Sequence, residues 1–404
     1  MKSKIFYGWR VVAACFVIAC FSWGLGLFGS SVYLQAVTEE HGWSISEVSS
    51  AITTFLLISA VGQSALGRSI ARHGPRPALL VGTICMCIGV ASIGLVGRPS
   101  QLYPCFALLG IGWATLSTTG ISASVAPWFE RHQGRSITLA IMGASFGAIL
   151  GVPILLYIVD RLGLRGGLLA ASVVAGLVLF PLIGAVLRYR GPEDLGMTRD
   201  GGLVGAGGAL DFAKHIATPK NRRRLLWSAT AAFALTLLAQ IGFIAHHVAL
   251  AEQFLGKFGA GVLVSATGAV TLFGRLYLAK IVDGAPVRRL ACQAMVAQLA
   301  ALLAIGLFPS IPTLIVGSLI YGFAIGHVTT LSPIVVRREF GAKAFAGVYG
   351  MAATCIQFFS ACGPAFIGYL HERLGGYPPV LLVSAGITAL GCASLYFGAE
   401  RNKS

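Results

Sequence analysis

Residues 271–283 read TLFGRLYLAKIVD, an apolar run with Arg275 inside it and Asp283 at its end. At about 1.5 Å per helical residue, the arginine sits roughly 12 Å along the axis from the aspartate. On the surface of a soluble helix such a cation is ordinary. In hydrocarbon it is costly, and it marks a pathway more often than an accident. What surrounds the stretch therefore decides its meaning.

The surroundings are apolar throughout. Of the 404 residues, 56% are hydrophobic and 11% charged, which excludes an ordinary soluble domain of this length. The formal charge of +16 would suggest nucleic acid in a soluble chain. Here the basic residues fall in short segments between apolar runs, as in loops on the cytoplasmic side of a bilayer, so no nucleic-acid partner is expected. The nine cysteines all lie within apolar runs and form no C-x-x-C pair, so neither a metal site nor a disulfide framework is expected. The basic start followed by an apolar stretch mimics a signal peptide. The stretch is too long for a signal core, and reads as an uncleaved first helix.

Apolar runs long enough to cross a bilayer as helices recur near 11–36, 48–67, 78–97, 102–127, 136–158 and 167–187. They resume near 226–250, 259–281, 290–308, 312–335, 345–369 and 379–397. Twelve transmembrane helices in an all-α membrane protein are expected, in an N-terminal half (1–187) and a C-terminal half (226–404). A polar, glycine-rich central loop (188–225) separates them. Putting both termini in the cytoplasm leaves Arg98, Arg161, Arg165, Lys257 and Arg373 outside and assigns every other Lys and Arg but one to the cytoplasmic surface. The one left over is Arg275. The halves resemble each other: aligning VGQSALGRSIARHGPRP with FGRLYLAKIVDGAPVRR sets Gly62-Gln63 opposite Gly274-Arg275 and Ala71 opposite Asp283. Duplicated halves of this kind accompany transporter folds with a central site.

No enzyme constellation is present: the chain has no H-E-x-x-H, Walker loop or G-x-S-x-G, so neither catalysis nor ATP-driven work is expected, and no cofactor.

Over essentially its whole length the chain resembles the major facilitator superfamily. GRSIARHGPR matches that superfamily's G-x-x-x-D-R-x-G-R-R loop at Gly67, Arg72, Gly74 and Arg76, with Ala71 where an aspartate is usual; the second copy keeps its acid, Asp283. GASFGAILGVP and GPAFIGYL are similar to its glycine-rich packing segments. YGWRVVAACF, EEHGWSISEVSSA, APWFERHQGRSITLAIMGASFG and GPEDLGM resemble the monocarboxylate and oxalate:formate transporter branch. The resemblance implies a pseudo-symmetric fold of two six-helix halves with a midplane cavity, and gating roles for the loop residues. It also implies an eighth-helix arginine, matched by Arg275, that holds a substrate carboxylate. Three features of the branch have no counterpart. Thr271 stands where animal members have Asp, Phe28 is nearest to a first-helix Lys, and residues 345–369 contain no Lys.

These readings predict a secondary transporter of a small organic monoanion, acting as a monomer in a lipid bilayer, a bacterial inner membrane, by proton coupling or exchange. Arg275, Gln357, Tyr33, Ser117, Thr118 and His327 are candidate substrate contacts; His246, His247 and Glu252 are candidate proton sites. His327 sits mid-run and also suits a bond to a neighbouring helix. Gln63, Gln240 and Gln357 suit interhelical hydrogen bonds. The alternative is an exporter of amphiphilic drugs or metabolites, which normally needs a membrane acid, and no predicted helix interior contains one.

Overall fold

The computed structural model describes residues 6–129, 133–199, 222–282 and 285–398. Among the described residues the regular structure is helical, and ten helices are long and apolar enough to cross a membrane. Two of the ten are double. Gly163 (φ +71°, ψ 171°) interrupts Arg135–Val186, and Gly256 (φ +67°, ψ 176°) interrupts Arg222–Ile281. An added Cβ would meet nothing at either site, so glycine is there for its backbone conformation and not for space.

With those two divisions the twelve runs become twelve helices. They are α1 (Tyr7–His41), α2 (Ile45–His73), α3 (Pro75–Ile93), α4 (Pro99–Trp128), α5 (135–162), α6 (164–186), α7 (222–255), α8 (257–281), α9 (Val287–Leu307), α10 (Ile311–Phe340), α11 (Met351–Leu374) and α12 (Tyr377–Phe397). Three boundaries differ from the sequence reading. α2 runs to His73, so Gly67 and Arg72 lie in helix and not in a loop; nothing breaks the helix until Gly74, at φ +81°, and Pro75 then starts α3, placing Arg76 in its first turn. α7 begins at Arg222, inside the expected central loop. Helical backbone continues from Ile311 to Ala361, through the expected turn between α10 and α11.

Backbone contacts divide the chain into two units, Met1–Ser44 with Thr54–Gly208, and Ile45–Thr53 with Ala209–Ser404. The first nine residues of α2 therefore pack in the second unit. There Ser46 N–H donates to Glu372 (2.9 Å), and Ala365 N–H donates to the Thr53 hydroxyl (3.0 Å).

Within each unit the same glycines make the same contacts. In the first, Gly110 of α4 lies on the Phe55 carbonyl of α2, where a Cβ would be 2.5 Å away; in the second, Gly322 of α10 lies on the Thr267 carbonyl of α8, at 2.8 Å. One constant offset relates Phe55 to Thr267, Gly62 to Gly274 and Gly110 to Gly322. Gly24 of α1 against Gly147 of α5 is likewise matched by Gly242 of α7 against Gly363 of α11. Small residues let these backbones approach closely, which is how helices associate where lipid removes the hydrophobic drive. The interhelical bond expected of Gln240 also forms, accepting from Gln298 of α9 at 2.7 Å.

Two helices of the first unit are discontinuous. α1 breaks between Leu25 and Gly29, and α4 breaks at Ser117, whose backbone is extended. Side chains occupy carbonyls at the breaks: Tyr33 donates to Leu25 O (2.7 Å), and Ser22 donates to Leu116 O (3.1 Å). Irregular backbone at membrane depth is tolerated only where its polar groups are satisfied in this way.

Candidate functional site

Arg275 lies at a close approach of α8 to α10. A Cβ on Gly326 would lie 2.8 Å from the Arg275 Cγ, 2.8 Å from the Thr271 carbonyl and 3.2 Å from the Arg275 backbone nitrogen. Gly274 rests in turn on the Phe323 carbonyl, where a Cβ would sit at 2.5 Å. The arginine stem is thus laid across backbone. Thr271, where the resembling branch has an acid, bonds its hydroxyl to Thr267 O (2.8 Å) and to Gly322 O (2.7 Å), stitching α8 to α10 one turn before the arginine.

On α10, Phe323, Gly326, His327 and Thr330 share one face at helical spacing. His327 is 5% exposed, and its Nδ1 faces the Phe323 carbonyl at 2.9 Å. A carbonyl only accepts, so Nδ1 carries the hydrogen and neutral His327 keeps Nε2 as an acceptor. The Tyr277 ring of α8 lies 6.3 Å from the imidazole, and the Phe323 ring 4.7 Å. Thr330 donates to Gly326 O (2.8 Å) and Thr329 to Ile325 O (2.9 Å).

The other candidates are spread more widely. His246 is buried and uses both nitrogens: Nε2 lies 3.1 Å from Pro364 O and from the Ser49 hydroxyl, and Nδ1 lies 3.1 Å from the Tyr377 hydroxyl. The Pro364 carbonyl fixes Nε2 as the donor, so Tyr377 donates to Nδ1 of the neutral ring. His247 meets Ser318 of α10 at 3.1 Å and lies tilted against the Phe243 ring. Glu252 is half-buried near the end of α7. Tyr33 is buried with its hydroxyl engaged by Leu25, Ser117 is buried at the α4 break, and Thr118 and Gln357 are exposed. Of the loop residues, Gly74 adjoins Arg190, whose guanidinium donates to His73 O (3.1 Å), and Asp283 lies outside the described residues. Arg338 donates to Val282 O (2.6 Å) and Ala285 O (2.9 Å), the described residues that flank it in the sequence.

Sequence reasoning missed two features. Gly326 and the adjoining threonines stand beside His327 in GHVTT, where they read as helix filler. Arg288 and Glu339 form a largely buried ion pair between α9 and α10, bonded through Arg288 Nε and through Nη2 at 3.1 Å; Arg288 also donates to Leu395 O (2.7 Å) and Leu225 O (2.9 Å). One guanidinium so ties α7, α9, α10 and α12 together. The lone acid in VVRREFG was the available signal.

The model of the Major Facilitator Superfamily matches residues 13–290 and 232–404. The chain belongs to the Major Facilitator Superfamily. Its similarity to other superfamily members runs nearly end to end. It is 25% identical to monocarboxylate transporter 11 of Mus musculus, covering 98% of this chain and 88% of that one. Against monocarboxylate transporter 13 of Rattus norvegicus it is 26% identical, covering 96% and 88%. The oxalate:formate antiporter of Oxalobacter formigenes matches over 46% of this chain and 44% of its own length, at 23% identity. A solved bacterial homologue of the human lysosomal transporter Spinster shares the fold, with a TM-score of 0.71 at 13% identity, covering 98% of this chain and 97% of that one.

Proposed function

We propose that this superfamily member is a secondary transporter of small organic monoanions, with Arg275 as the carboxylate anchor. The observation that carries the proposal is the seating of a membrane-helix arginine's stem against Gly326 of the neighbouring helix, which fixes the course of its side chain. A planar fork matches a carboxylate bidentately, and a bound monoanion neutralises the arginine. Relatives named for monocarboxylate transport support the substrate class. Alternating access would present Arg275 to each side of the membrane in turn, at lower cost once the charge is paired.

The remaining assignments follow the same reading. Gln357, Tyr33, Ser117, Thr118 and His327 are the further substrate contacts in this reading. Gly67, Arg72, Gly74, Arg76 and Asp283 serve gating. The basic bias of the loops supports cytoplasmic termini, and the same reading takes the membrane to be a bacterial inner membrane. Protons or a second carboxylate supply the driving gradient, with His246, His247 and Glu252 as proton sites. Counterflow of labelled propionate into proteoliposomes tests the proposal: accumulation against unlabelled internal propionate supports it, and none with a broad panel of monocarboxylates overturns it.

A further inference from the structure

Four buried polar groups of the second unit lack a hydrogen-bond partner among the described residues: Thr236 Oγ1 and Gln240 Nε2 on α7, Gln298 Oε1 on α9 and the Tyr321 hydroxyl on α10. All four residues are fully buried. The glutamines face each other, with Gln298 Nε2 donating to Gln240 Oε1 at 2.7 Å. Turning both amides over reverses that bond and still leaves one N–H group and one carbonyl oxygen unspent. Thr236 lies one turn before Gln240 on the same face of α7. Thr230, Thr267, Thr271 and Thr388 each donate to the carbonyl four residues back, whereas Thr236 does not. Tyr321 packs its ring on Phe243 of α7 at 4.3 Å, three residues beyond Gln240. Gly317 of α10 lies against Ala301 and Ile305 of α9, so the antiparallel run of the two helices carries Tyr321 to the level of Gln298.

We infer that these groups enclose a water-binding site in the wedge of α7, α9 and α10. A polar group stranded in an apolar core is costly, and several in one neighbourhood call for a shared partner. The chemistry of the set identifies that partner. The Gln240 N–H repels a cation, the Gln298 carbonyl oxygen repels an anion, and no side chain in the set carries a charge to hold either. Water offers two donors and two acceptors, and buried waters typically make about three hydrogen bonds to groups of this kind. It accepts from Gln240 Nε2, donates to Gln298 Oε1 and bonds the Tyr321 hydroxyl. Thr236 supplies a further partner at the edge of the site, where Gly391 of α12 presses on α7 and an added Cβ would lie 2.8 Å from the threonine hydroxyl. The water joins α10 to the glutamine pair of α7 and α9, and the site does not depend on Arg275 binding a carboxylate.

The sign of a stability change tests the site. Tyr321→Phe deletes only the hydroxyl oxygen. With a water bonded to that oxygen, the variant in detergent should unfold roughly 2–4 °C below wild type, the shift that loss of one hydrogen bond gives a domain of about 200 residues. Removing a stranded hydroxyl instead relieves a cost, so an unchanged or raised melting temperature overturns the site. Gln240→Leu with Gln298→Leu removes the water's other partners. Adding Tyr321→Phe to that pair should then cost nothing further, and a further loss of full size overturns the bridge. The shift in Tyr321→Phe should be equal in sodium chloride and in choline gluconate; a loss confined to one salt puts an ion there and overturns the water. A structure at a resolution that shows ordered waters should hold a peak within hydrogen-bond distance of Gln240, Gln298 and Tyr321. A Tyr321 hydroxyl bonded directly to a glutamine, with no peak between them, overturns it equally.

Discussion

The side chain of Arg275 crosses α10 at Gly326, where a single added carbon would come within 2.8 Å of both the arginine stem and the Thr271 backbone. An approach that close forces a shift, and the atom met on Arg275 is the middle of its chain rather than its mobile end. The position of the guanidinium is thereby coupled to the absence of a side chain one helix away.

Gly326→Ala should therefore impair transport without preventing folding. Displacing a ligand-positioning group by about 1 Å can cost a hundredfold in rate, and we expect at least a tenfold loss here. Gly184→Ala, whose added Cβ meets nothing, is the matched control and should transport normally. Equal activity of the two variants at equal expression would show that the crossing does not position the arginine.

The Arg288–Glu339 pair gives a stability prediction. Glu339→Gln leaves a guanidinium largely buried with only uncharged carbonyl and hydroxyl oxygens to answer it, and loss of one partner of a buried pair costs about 3–5 kcal/mol. Removing both charges, as Arg288→Met with Glu339→Leu, should cost less than the sum of the single changes. Thermal unfolding in detergent reads the difference; strictly additive losses would mean the two residues do not act as a pair.

Charge selectivity gives a third. The unmodified protein should bind oxalate poorly at neutral pH, since a second uncompensated charge in a low-dielectric site costs several kcal/mol. A lysine introduced on α11 should improve it. Ile356 packs in the core with Phe233 and Val335, so Cys355→Lys is the variant to make. Tight oxalate binding by wild type at pH 7.5 would reveal a second cation in the site.

Most of the architecture was legible in advance because a bilayer leaves a helix no choice: backbone groups must be satisfied within the segment, and about twenty apolar residues suffice. The duplicated Gly62 and Gly274 gave the internal repeat, and the structure extends it to Phe55 with Thr267 and Gly110 with Gly322. What stayed hidden was local and three-dimensional. The breaks in α1 and α4 lie in SWGLGLFGSS and LSTTG, whose small and hydroxyl residues also occur in unbroken membrane helices, and the Ser22 and Tyr33 hydroxyls that occupy the nearby carbonyls show how they are tolerated. Arg275 stood out as a charge in an apolar run, whereas Gly326 and Thr330 acquire meaning only from what crosses them. His246, His247 and His327 look alike in sequence; their partners separate them, two engaged across helices and one bonded within its own.

The most direct test of the account is counterflow of labelled propionate in proteoliposomes holding wild type, Arg275→Lys or Arg275→Ala in equal amounts. A lysine keeps the charge but loses the two-pronged fork, so both variants should fall to a small fraction of wild-type flux, the alanine to background. Near wild-type counterflow by Arg275→Ala would contradict the claim that this arginine binds the substrate.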